Sequence, residues 1–436
     1  MRAFAPRVAD NGEKVLHGLP AEVRFCTRCV MSNQRPSSSP ELHKKTTHIE
    51  TVGFYQDGVC HPCVYAERKK NIDWHTREEQ LLALLDKHRS KSGHIDVIVP
   101  GSGGKDSAYV SHILKDKYGM HPLTVTWAPH MYTDIGWANF NRWIHVGGLD
   151  NMLVTPNPHV HRRLTRLAFL NLLNPFQPFI IGQKNIGPRL AAQYGVPLVM
   201  YGEHQAEYHN SIDETDSPLM PRRHYTMRPE QQLFFGGLSI DDLQHDHSIG
   251  GKGIREGDLQ LYMPCTEKVA EANDLEVHYF SYYKEWIPQQ NYYYAVEHCG
   301  FLPNQDGRSE GTYSKYASLD DRIDGFHYYT MFIKFGQGRA MNDAAHEIRD
   351  NHITRGEAVA LVNKYDGEFP KKYFQEFLDY IDISEKVFWE TIDRNRSPHL
   401  WERQHGAAKQ DGEEQRKAGK GDVMKSDGWV LKHRVA

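Results

Sequence analysis

The segment that decides the fold is 95–107, IDVIVPGSGGKDS, in which a short apolar run leads into a glycine-rich turn. The run over 95–100 is typical of a parallel strand buried on both faces. Residues 108–119, AYVSHILKDKYG, predict a helix that ends at Gly119. Because backbone N–H groups of such a turn can converge on phosphate oxygens, aided by the helix dipole, the sequence predicts a phosphate-binding loop here.

The same alternation of strand and helix continues on both sides of the loop. Apolar runs predict strands at 122–128, 150–156 and 197–202. Helical periodicity is found at 76–90, 139–148, 162–173 and 186–194, and Thr76, with Glu79 three residues later, is the predicted cap of the first. The pattern predicts an α/β fold with a doubly wound parallel sheet, whose ligands bind beyond the carboxyl ends of the strands.

The length of 436 residues predicts two or three domains. We expect a cysteine-containing module at 21–70, the α/β domain at 71–235, a mainly helical region at 236–404 and a charged, flexible tail at 405–436. The helical region includes predicted helices within 348–367 and 370–383.

Composition excludes few functions but argues against some. The formal net charge of -4 lacks the basic excess of most nucleic-acid-binding proteins, so we expect no nucleic acid as the main partner. No run approaches the roughly 18 apolar residues of a membrane span, and the first residues lack the apolar core of a signal peptide. We therefore expect a cytoplasmic protein without a membrane partner.

Four of the six cysteines form two close pairs, Cys26–Cys29 and Cys60–Cys63. Each C-x-x-C turn supplies two thiolates, and two turns complete a tetrahedron, so the spacing predicts a structural zinc site. A pair of redox dithiols and an iron–sulfur cluster are the alternatives.

The glycine-rich turn matches neither of two common nucleotide motifs. It is not a Walker A loop, because Asp106 stands where Ser or Thr should follow Lys105 and Val99 stands at the first glycine position. Ser102–Ser107 instead resembles the Ser-Gly-Gly-x-Asp-Ser signature of the PP-loop ATP pyrophosphatases. The alternative is an ordinary glycine-rich connection between a strand and a helix.

That resemblance implies an adenine nucleotide alpha hydrolase-like fold that cleaves ATP between its α and β phosphates. It implies that Mg²⁺ is held by Asp106 and that the charge of Lys105 offsets phosphate charge. The implied pyrophosphate-binding residues are Gly101, Ser102, Gly103, Gly104, Lys105, Asp106 and Ser107.

Three further stretches carry a second resemblance: YGEHQAEY (201–208), WIPQQNYYY (286–294) and GRSEGTYSKY (307–316), which continues to Asp320, Asp321 and GFHYY (325–329). With the cysteine pairs and the loop, they resemble the N-acetyl sugar amidotransferase family (WbpG/PseA-like) over about residues 24–400. That family makes acetamidino sugars for bacterial surface polysaccharides, such as lipopolysaccharide O-antigens, and related glycans. The resemblance implies an ATP-dependent, AMP-forming carbon–nitrogen ligase acting on an N-acetylated, nucleotide-linked sugar.

The family's chemistry needs ammonia, and no glutaminase signature is present in this chain. The resemblance therefore implies a separate partner glutaminase, similar to the histidine-biosynthesis glutaminase and cyclase pair. The implied catalytic residues are Lys105, Asp106, Glu203 and Asp320, with Asp321 and His327 as further candidates for proton transfer. The candidates for substrate binding are Glu207, Tyr208, Asn291, Arg308, Glu310, Tyr313 and Lys315.

Two other functions stay open. Some PP-loop enzymes modify tRNA, but sulfur transfer generally needs a cysteine near the nucleotide loop, and none lies between Cys63 and Cys265. A non-enzymatic zinc-ribbon binding module is the second alternative, although the loop keeps every residue of its signature.

Overall fold

The computed structural model describes residues 7–8, 12–37, 50–207, 217–246, 253–403 and 428–436. Their helices are α1 (His61–Lys69), α2 (Trp74–His88), α3 (Lys105–Asp116), α4 (Asp134–His145), α5 (Pro158–Leu172), α6 (Gln177–Tyr194), α7 (Ile240–His245), α8 (Glu267–Ala272), α9 (Pro288–Cys299), α10 (Asp324–Phe335), α11 (Arg339–Arg349), α12 (Arg355–Tyr365), α13 (Phe374–Ile381) and α14 (Glu385–Arg394).

The strands fall into one larger sheet and several short pairs. The larger sheet contains β3 (Val97–Pro100), β4 (Pro122–Trp127), β5 (Asp150–Val154), β6 (Leu198–Tyr201) and β11 (Glu276–Tyr279). The short strands are β1 (Arg7–Val8), β2 (Lys14–Val15), β7 (Thr226–Met227), β8 (Phe234–Phe235), β9 (Leu238–Ser239), β10 (Cys265–Thr266), β12 (Trp401–Arg403) and β13 (Trp429–Leu431).

The larger sheet is parallel throughout, with the strand order β11-β6-β3-β4-β5. Its central strand β3 is covered on both faces: Val97 and Val99 pack into one apolar cluster, while Ile98 packs into another. This double burial explains the continuous apolar run of β3. The predicted α/β class with a parallel sheet is thus confirmed.

The strand order places a topological switch point beside β3. From β3 the chain moves outward to β4 and β5, and it then returns to the other side of β3 to form β6 and β11. In a doubly wound sheet the crevice beyond the carboxyl ends of the strands at this point is where ligands bind. The glycine loop follows β3 and Gly202 follows β6, so both enter this crevice.

The sheet extends beyond the boundary predicted at residue 235. Strand β11 forms its edge, and α9 packs against α3 in the layer above it. Two helix starts also differ from the sequence-based expectation. The side chain of Asp73, rather than Thr76, caps α2 by accepting from the N–H groups of His75 and Thr76, and α6 begins at Gln177, nine residues before the predicted 186.

The C-terminal helices form two further cores. One combines α10, α13 and α14 with Phe169 of α5. The other packs the four paired cysteines against α11 and α12. Residues 405–427 of the predicted tail lie outside the described residues. Its last residues are ordered, since β13 pairs with β12 and Val435 is buried in the second core.

None of the described helices is both long enough and apolar enough to cross a lipid bilayer.

Candidate functional site

The glycine loop connects β3 to α3 through two positions that exclude a side chain. Gly103 has φ +84°, and a Cβ there would lie 2.7 Å from the Cα of Phe140. A Cβ at Gly101 would lie 2.2 Å from the Cβ of Ser107. The hydroxyl of Ser107 donates to the carbonyl of Gly104 at 3.0 Å. The backbone is therefore held close against α4 and its own helix.

No side chain caps the N-terminus of α3, where Gly104 is the N-cap residue. The first N–H groups of a helix have no partner within the helix and carry a partial positive charge. An uncapped start at the sheet's switch point is the arrangement that binds anions such as phosphate.

Lys105 and Asp106 begin α3 and contact each other through Nζ and Oδ2. The other carboxylate oxygen of Asp106, Oδ1, accepts from Nδ2 of Asn291 at 3.0 Å. Asn291 is buried in α9, and Lys105 lies 5.3 Å above the ring of Tyr316. These contacts fix the direction of both charged groups.

A cavity of about 1300 Å³ opens beside the loop. The predicted residues Ser102, Lys105, Asp106 and Glu203 line it together. The side chain of Glu203 is open to the cavity yet deep among protein atoms. This desolvation, with the nearby charge of Asp106, raises the pKa of Glu203. Two carboxylates, one in the first turn of α3 and one just after β6, thus line the same cavity.

Another part of the cavity wall is one face of α11, and the sequence analysis did not predict this part. Its cavity-lining residues recur at helical spacing: Arg339, Asn342, Asp343, His346, Glu347 and Asp350. Nε of Arg339 donates to both oxygens of Asp343 at 3.0 Å, and Nη1 donates to the hydroxyl of Tyr328 at 2.6 Å. The other face of α11 carries Ala340, Met341, Ala344 and Ala345, which are buried.

The sequence of α11 does carry a signal for this wall: polar residues recur at i, i+3, i+4 and i+7 beside an alanine-rich stripe. Periodicity alone identifies an amphipathic helix, and a polar face usually meets solvent. Only the tertiary packing shows that this face meets a cavity. Lys184 of α6 also lines the cavity.

The four paired cysteines converge in a buried cluster. Their sulfurs all lie within 4.8 Å of one another, with Cys26–Cys63 at 3.9 Å and Cys29–Cys60 at 3.6 Å. Four sulfurs each about 2.3 Å from one zinc ion in a tetrahedron are separated by roughly 3.8 Å. The cluster therefore has the dimensions of a possible zinc site, and a disulfide, at about 2.05 Å, is excluded.

Backbone N–H groups surround the sulfurs as they would surround thiolates. Cys26 Sγ lies 3.4 Å from the N–H nitrogens of Arg28 and Cys29 and 3.3 Å from that of Cys60. Cys29 Sγ lies 3.4 Å from the nitrogen of Met31. Donors aimed at the ligating sulfur are the usual support of a metal-bound thiolate.

Glu207, predicted to bind substrate, is buried in an ion pair. Its carboxylate oxygens accept from Nζ of Lys69 at 2.9 and 3.0 Å, and its carbonyl accepts from Nη2 of Arg349 at 2.7 Å. Lys69 ends α1, which begins immediately after Cys60. Glu207 thus joins the segment after β6 to the cysteine module, and it is not among the cavity-lining residues. Tyr208 lies outside the described residues.

Two other predicted substrate residues hold loops together. Arg308 forms a bidentate ion pair with Glu368, in which Nη1 donates to Oε2 at 2.6 Å and Nη2 donates to Oε1 at 3.0 Å. The carboxylate of Glu310 accepts from the N–H groups of Lys371 and Lys372 at 2.9 and 3.1 Å. Both side chains fasten the segment at 307–316 to the turn before α13, and neither lines the cavity.

The remaining substrate candidates lie near the cavity wall without lining it. Asn291 supports Asp106, as described above. Tyr313 donates its hydroxyl to the cavity-lining Glu347 at 3.1 Å. The ammonium of Lys315 lies 5.1 Å from the ring of Tyr292, and its side chain is exposed.

The three further candidates for catalysis or proton transfer, Asp320, Asp321 and His327, do not all line the cavity. The carbonyl of Asp320 accepts from the N–H of Thr133 at 3.2 Å, at the start of α4. Asp321 is buried, and its Oδ1 accepts from the N–H of Ile323 at 2.8 Å. His327 lines the cavity, with Nδ1 3.2 Å from Oδ1 of Asn174, whereas the two aspartates do not line it.

Two cysteines remain outside the cluster, Cys265 and Cys299. Both are buried, and burial raises the pKa of Cys265 to about 11 and that of Cys299 to about 12. Neither is among the cavity-lining residues. Such thiols stay protonated and are poor nucleophiles.

A comparison with known protein families finds a match for one part of the chain. Residues 310–413 match the family model described as LPS biosynthesis protein WbpG-like, C-terminal domain. The matched stretch contains α10 to α14, and hence the α11 wall of the cavity, but it does not reach the glycine loop. No curated protein matches the chain. The C-terminal region is thus similar to that of WbpG-like proteins, a family named for lipopolysaccharide biosynthesis.

Proposed function

We propose that the protein is an ATP-dependent, AMP-forming amidotransferase that converts an acetamido group of an N-acetylated sugar into an acetamidino group. The observation that carries the proposal is the cavity shared by two parts of the chain. The glycine loop, with Lys105 and Asp106, forms one wall, and α11, from the WbpG-like region, forms the other. A nucleotide and a second substrate would meet between them.

The reaction follows from the weakness of an amide as an electrophile. The amide oxygen attacks the α phosphorus of ATP, pyrophosphate departs, and the oxygen becomes part of a good leaving group. Ammonia then adds to the carbon, AMP departs with that oxygen, and an amidine remains. The loop N–H groups and Lys105 would hold the pyrophosphate that forms.

Asp106 and Glu203 would hold Mg²⁺ together with the nucleotide. Carboxylates combined with substrate phosphates are the usual ligands of Mg²⁺. Both residues line the same cavity, and a divalent cation between their carboxylates would relieve the repulsion by which Asp106 raises the pKa of Glu203. The cysteine cluster would hold a separate, structural zinc.

Sulfur transfer to tRNA is less well supported. That chemistry needs a reactive thiol near the nucleotide, and the described cavity wall has no cysteine. A gel shift with tRNA that weakens steeply with salt would revive this alternative.

The test is an incubation with ATP, Mg²⁺, ammonium chloride and a panel of N-acetylated sugars and sugar nucleotides. The proposal expects AMP and pyrophosphate in equal amounts and a product about one dalton lighter than the substrate, because oxygen is replaced by NH in an addition–elimination sequence. If no member of the panel releases AMP above background, the proposed function fails.

A matched pair of variants connects the activity to the loop. Asp106→Asn removes a carboxylate from the cavity and is expected to lower AMP release by about 100-fold or more, as losing one preorganised charge contact does. Asp116→Asn removes an exposed carboxylate from the other end of the same helix and should leave the rate unchanged. Equal rates for the two variants would contradict the role of Asp106.

A further inference from the structure

Three residues on successive turns of α11 and its end form a stripe along the cavity: Asn342, His346 and Asp350. Successive members are four residues apart, which places them about 6 Å from each other on one helix face. The side chain of Asp350 is only 7% exposed, and Asn342 and His346 are also buried. This stripe can offer three hydrogen-bond acceptors to the cavity.

Two of these acceptors lack a hydrogen-bond partner among the described residues. Oδ1 of Asn342 and Oδ2 of Asp350 are buried and have no hydrogen-bond donor in the part of the chain that the structure describes. A buried acceptor without a donor costs about 1–3 kcal/mol, and such atoms in native proteins usually have a role that explains them. Both atoms belong to cavity-lining residues, so a small donor within the cavity would satisfy them.

The residue between them is an imidazole held neutral by its surroundings. Nε2 of His346 lies 3.5 Å from Oδ2 of Asp350 and 3.9 Å from Oε2 of Glu207. Burial keeps the pKa of His346 well below its ordinary value. A neutral imidazole has one nitrogen that accepts, which continues the row of acceptors.

The charge of this wall favours a cation. The cavity face of α11 carries Asp343, Glu347 and Asp350 against the single guanidinium of Arg339, which is already paired with Asp343. Around Asp350 itself, the carboxylate of Glu207 is paired with Lys69, and the backbone carbonyl of Glu207 accepts a hydrogen bond from Arg349. A concave surface with an excess of one sign concentrates the opposite ion.

Charge interactions link the stripe's helix to the glycine loop. The charge of Arg339, at the start of α11, influences the pKa values of Glu203 and Tyr316 near the loop. The charge of Lys105 reaches His346. In the last turn of α11, burial lowers the pKa of Arg349, but the charges of the cysteine cluster outweigh it and raise that pKa.

We propose that Asp350 binds ammonium and that the stripe Asn342–His346–Asp350 passes ammonia along the cavity wall towards the glycine loop. This inference rests on the proposed amidotransferase function and names the place where its nitrogen substrate enters the cavity. Ammonium donates a hydrogen bond to Oδ2 of Asp350, its proton passes to that oxygen, and neutral NH₃ keeps the electron pair that attacks the activated carbon. The next acceptors lie one and two turns nearer the loop.

The carboxylate of Asp350 is suited to accept a proton from ammonium. Desolvation raises the pKa of Asp350 to about 7, which makes it a stronger base than an exposed aspartate. A general base works best when its pKa is near the operating pH.

The first test detects a cation and needs no turnover. Rubidium, a monovalent cation of similar size to ammonium, scatters anomalously, so crystals of the full chain are soaked in rubidium chloride. We expect an anomalous peak beside Oδ2 of Asp350 that is lost in Asp350→Asn and kept in Asp241→Asn, whose carboxylate is 85% exposed on α7. No peak in the wild type, or an equal peak in Asp350→Asn, would overturn the proposal.

The second test measures the KM for ammonium chloride as the nitrogen source. Asp350→Asn should raise it by about tenfold or more while the KM for ATP stays within about twofold, because only ammonium loses a charged partner. Asn342→Leu, two turns away, repeats the measurement if the first variant proves unstable. A rubidium peak without any AMP release would refute the proposed function alone. AMP release with an unchanged ammonium KM in both variants would refute the ammonium site alone.

Discussion

At the scale of single residues, the glycine loop depends on a backbone conformation and a contact distance. Gly103 adopts a positive φ and lies where a Cβ would meet the main chain of α4, which cannot move aside as a side chain can. Gly104 has φ −67° and ψ 163°, an extended conformation that other residues adopt readily. The two adjacent glycines therefore differ in how well their positions tolerate a side chain.

We expect Gly103→Ala to lower the free energy of unfolding by about 1–3 kcal/mol, since it adds a strained φ to a backbone clash. Gly104→Ala should change it by less than about 1 kcal/mol, because the nearest atom to a new Cβ is Oγ of Ser102 at 3.7 Å. Denaturant unfolding of the two variants makes the comparison. A smaller loss for Gly103→Ala than for Gly104→Ala would show that the turn does not hold this conformation.

At the scale of elements, the buried ion pair Lys69–Glu207 joins the cysteine module's helix α1 to the segment after β6. The two side chains are 8% and 3% exposed. Charges taken out of water at this depth are tolerated when they are paired, and breaking such a pair leaves the other charge uncompensated. Next along the chain, Lys70 pairs with Glu67 at the surface, where both side chains are more than half exposed.

Glu207→Gln is expected to cost about 3–5 kcal/mol of stability, because Lys69 would stay buried without its partner. Glu67→Gln, the matched change at the exposed pair, should cost no more than about 0.5 kcal/mol. Thermal or denaturant unfolding of both variants measures the two losses of stability. A Glu207→Gln protein that unfolds like the wild type yet loses affinity for sugar would restore the role in substrate binding predicted for Glu207.

The elements that the sequence predicted well are those with a strong local pattern. Strand β3, the loop and α3 follow from an apolar run, glycines and a helical period within 25 residues. The paired cysteines follow from their spacing. Strand β11 was missed because its four residues, EVHY, are partly polar, and its place in the sheet comes from pairing with β6, about 75 residues earlier.

The candidate site was predicted in part for the same reason. Ser102, Lys105, Asp106 and Glu203 directly follow strands, and strand ends of a parallel sheet share one edge. Arg308 and Glu310 carry charge suited to ligands, but Glu368 and the turn at 371–372 engage them. A sequence gives the chemistry of a side chain, whereas its partner across 60 residues is set by the packing.

At the scale of the whole molecule, the cysteine cluster and the cavity share a helix. The sulfurs pack in one core with Met341, Ala344 and Ala345 of α11, and the opposite face of that helix lines the cavity. Val435, near the end of the chain, is buried in the same core. A metal that organises the cysteines would therefore also hold the α11 wall in place.

Removing the metal should consequently affect folding and activity together. Binding of structural zinc supplies roughly 10–16 kcal/mol in small zinc-binding peptides, far more than a module of this size can replace. We expect a strong chelator, or Cys26→Ser, to lower the melting temperature, expose α11 to proteases and abolish ATP-dependent AMP release. Cys265→Ala, which removes a buried thiol outside the cluster, should keep one zinc per chain by elemental analysis. If the metal-free protein melted and turned over ATP like the untreated one, the α11 wall would be independent of the cysteine cluster.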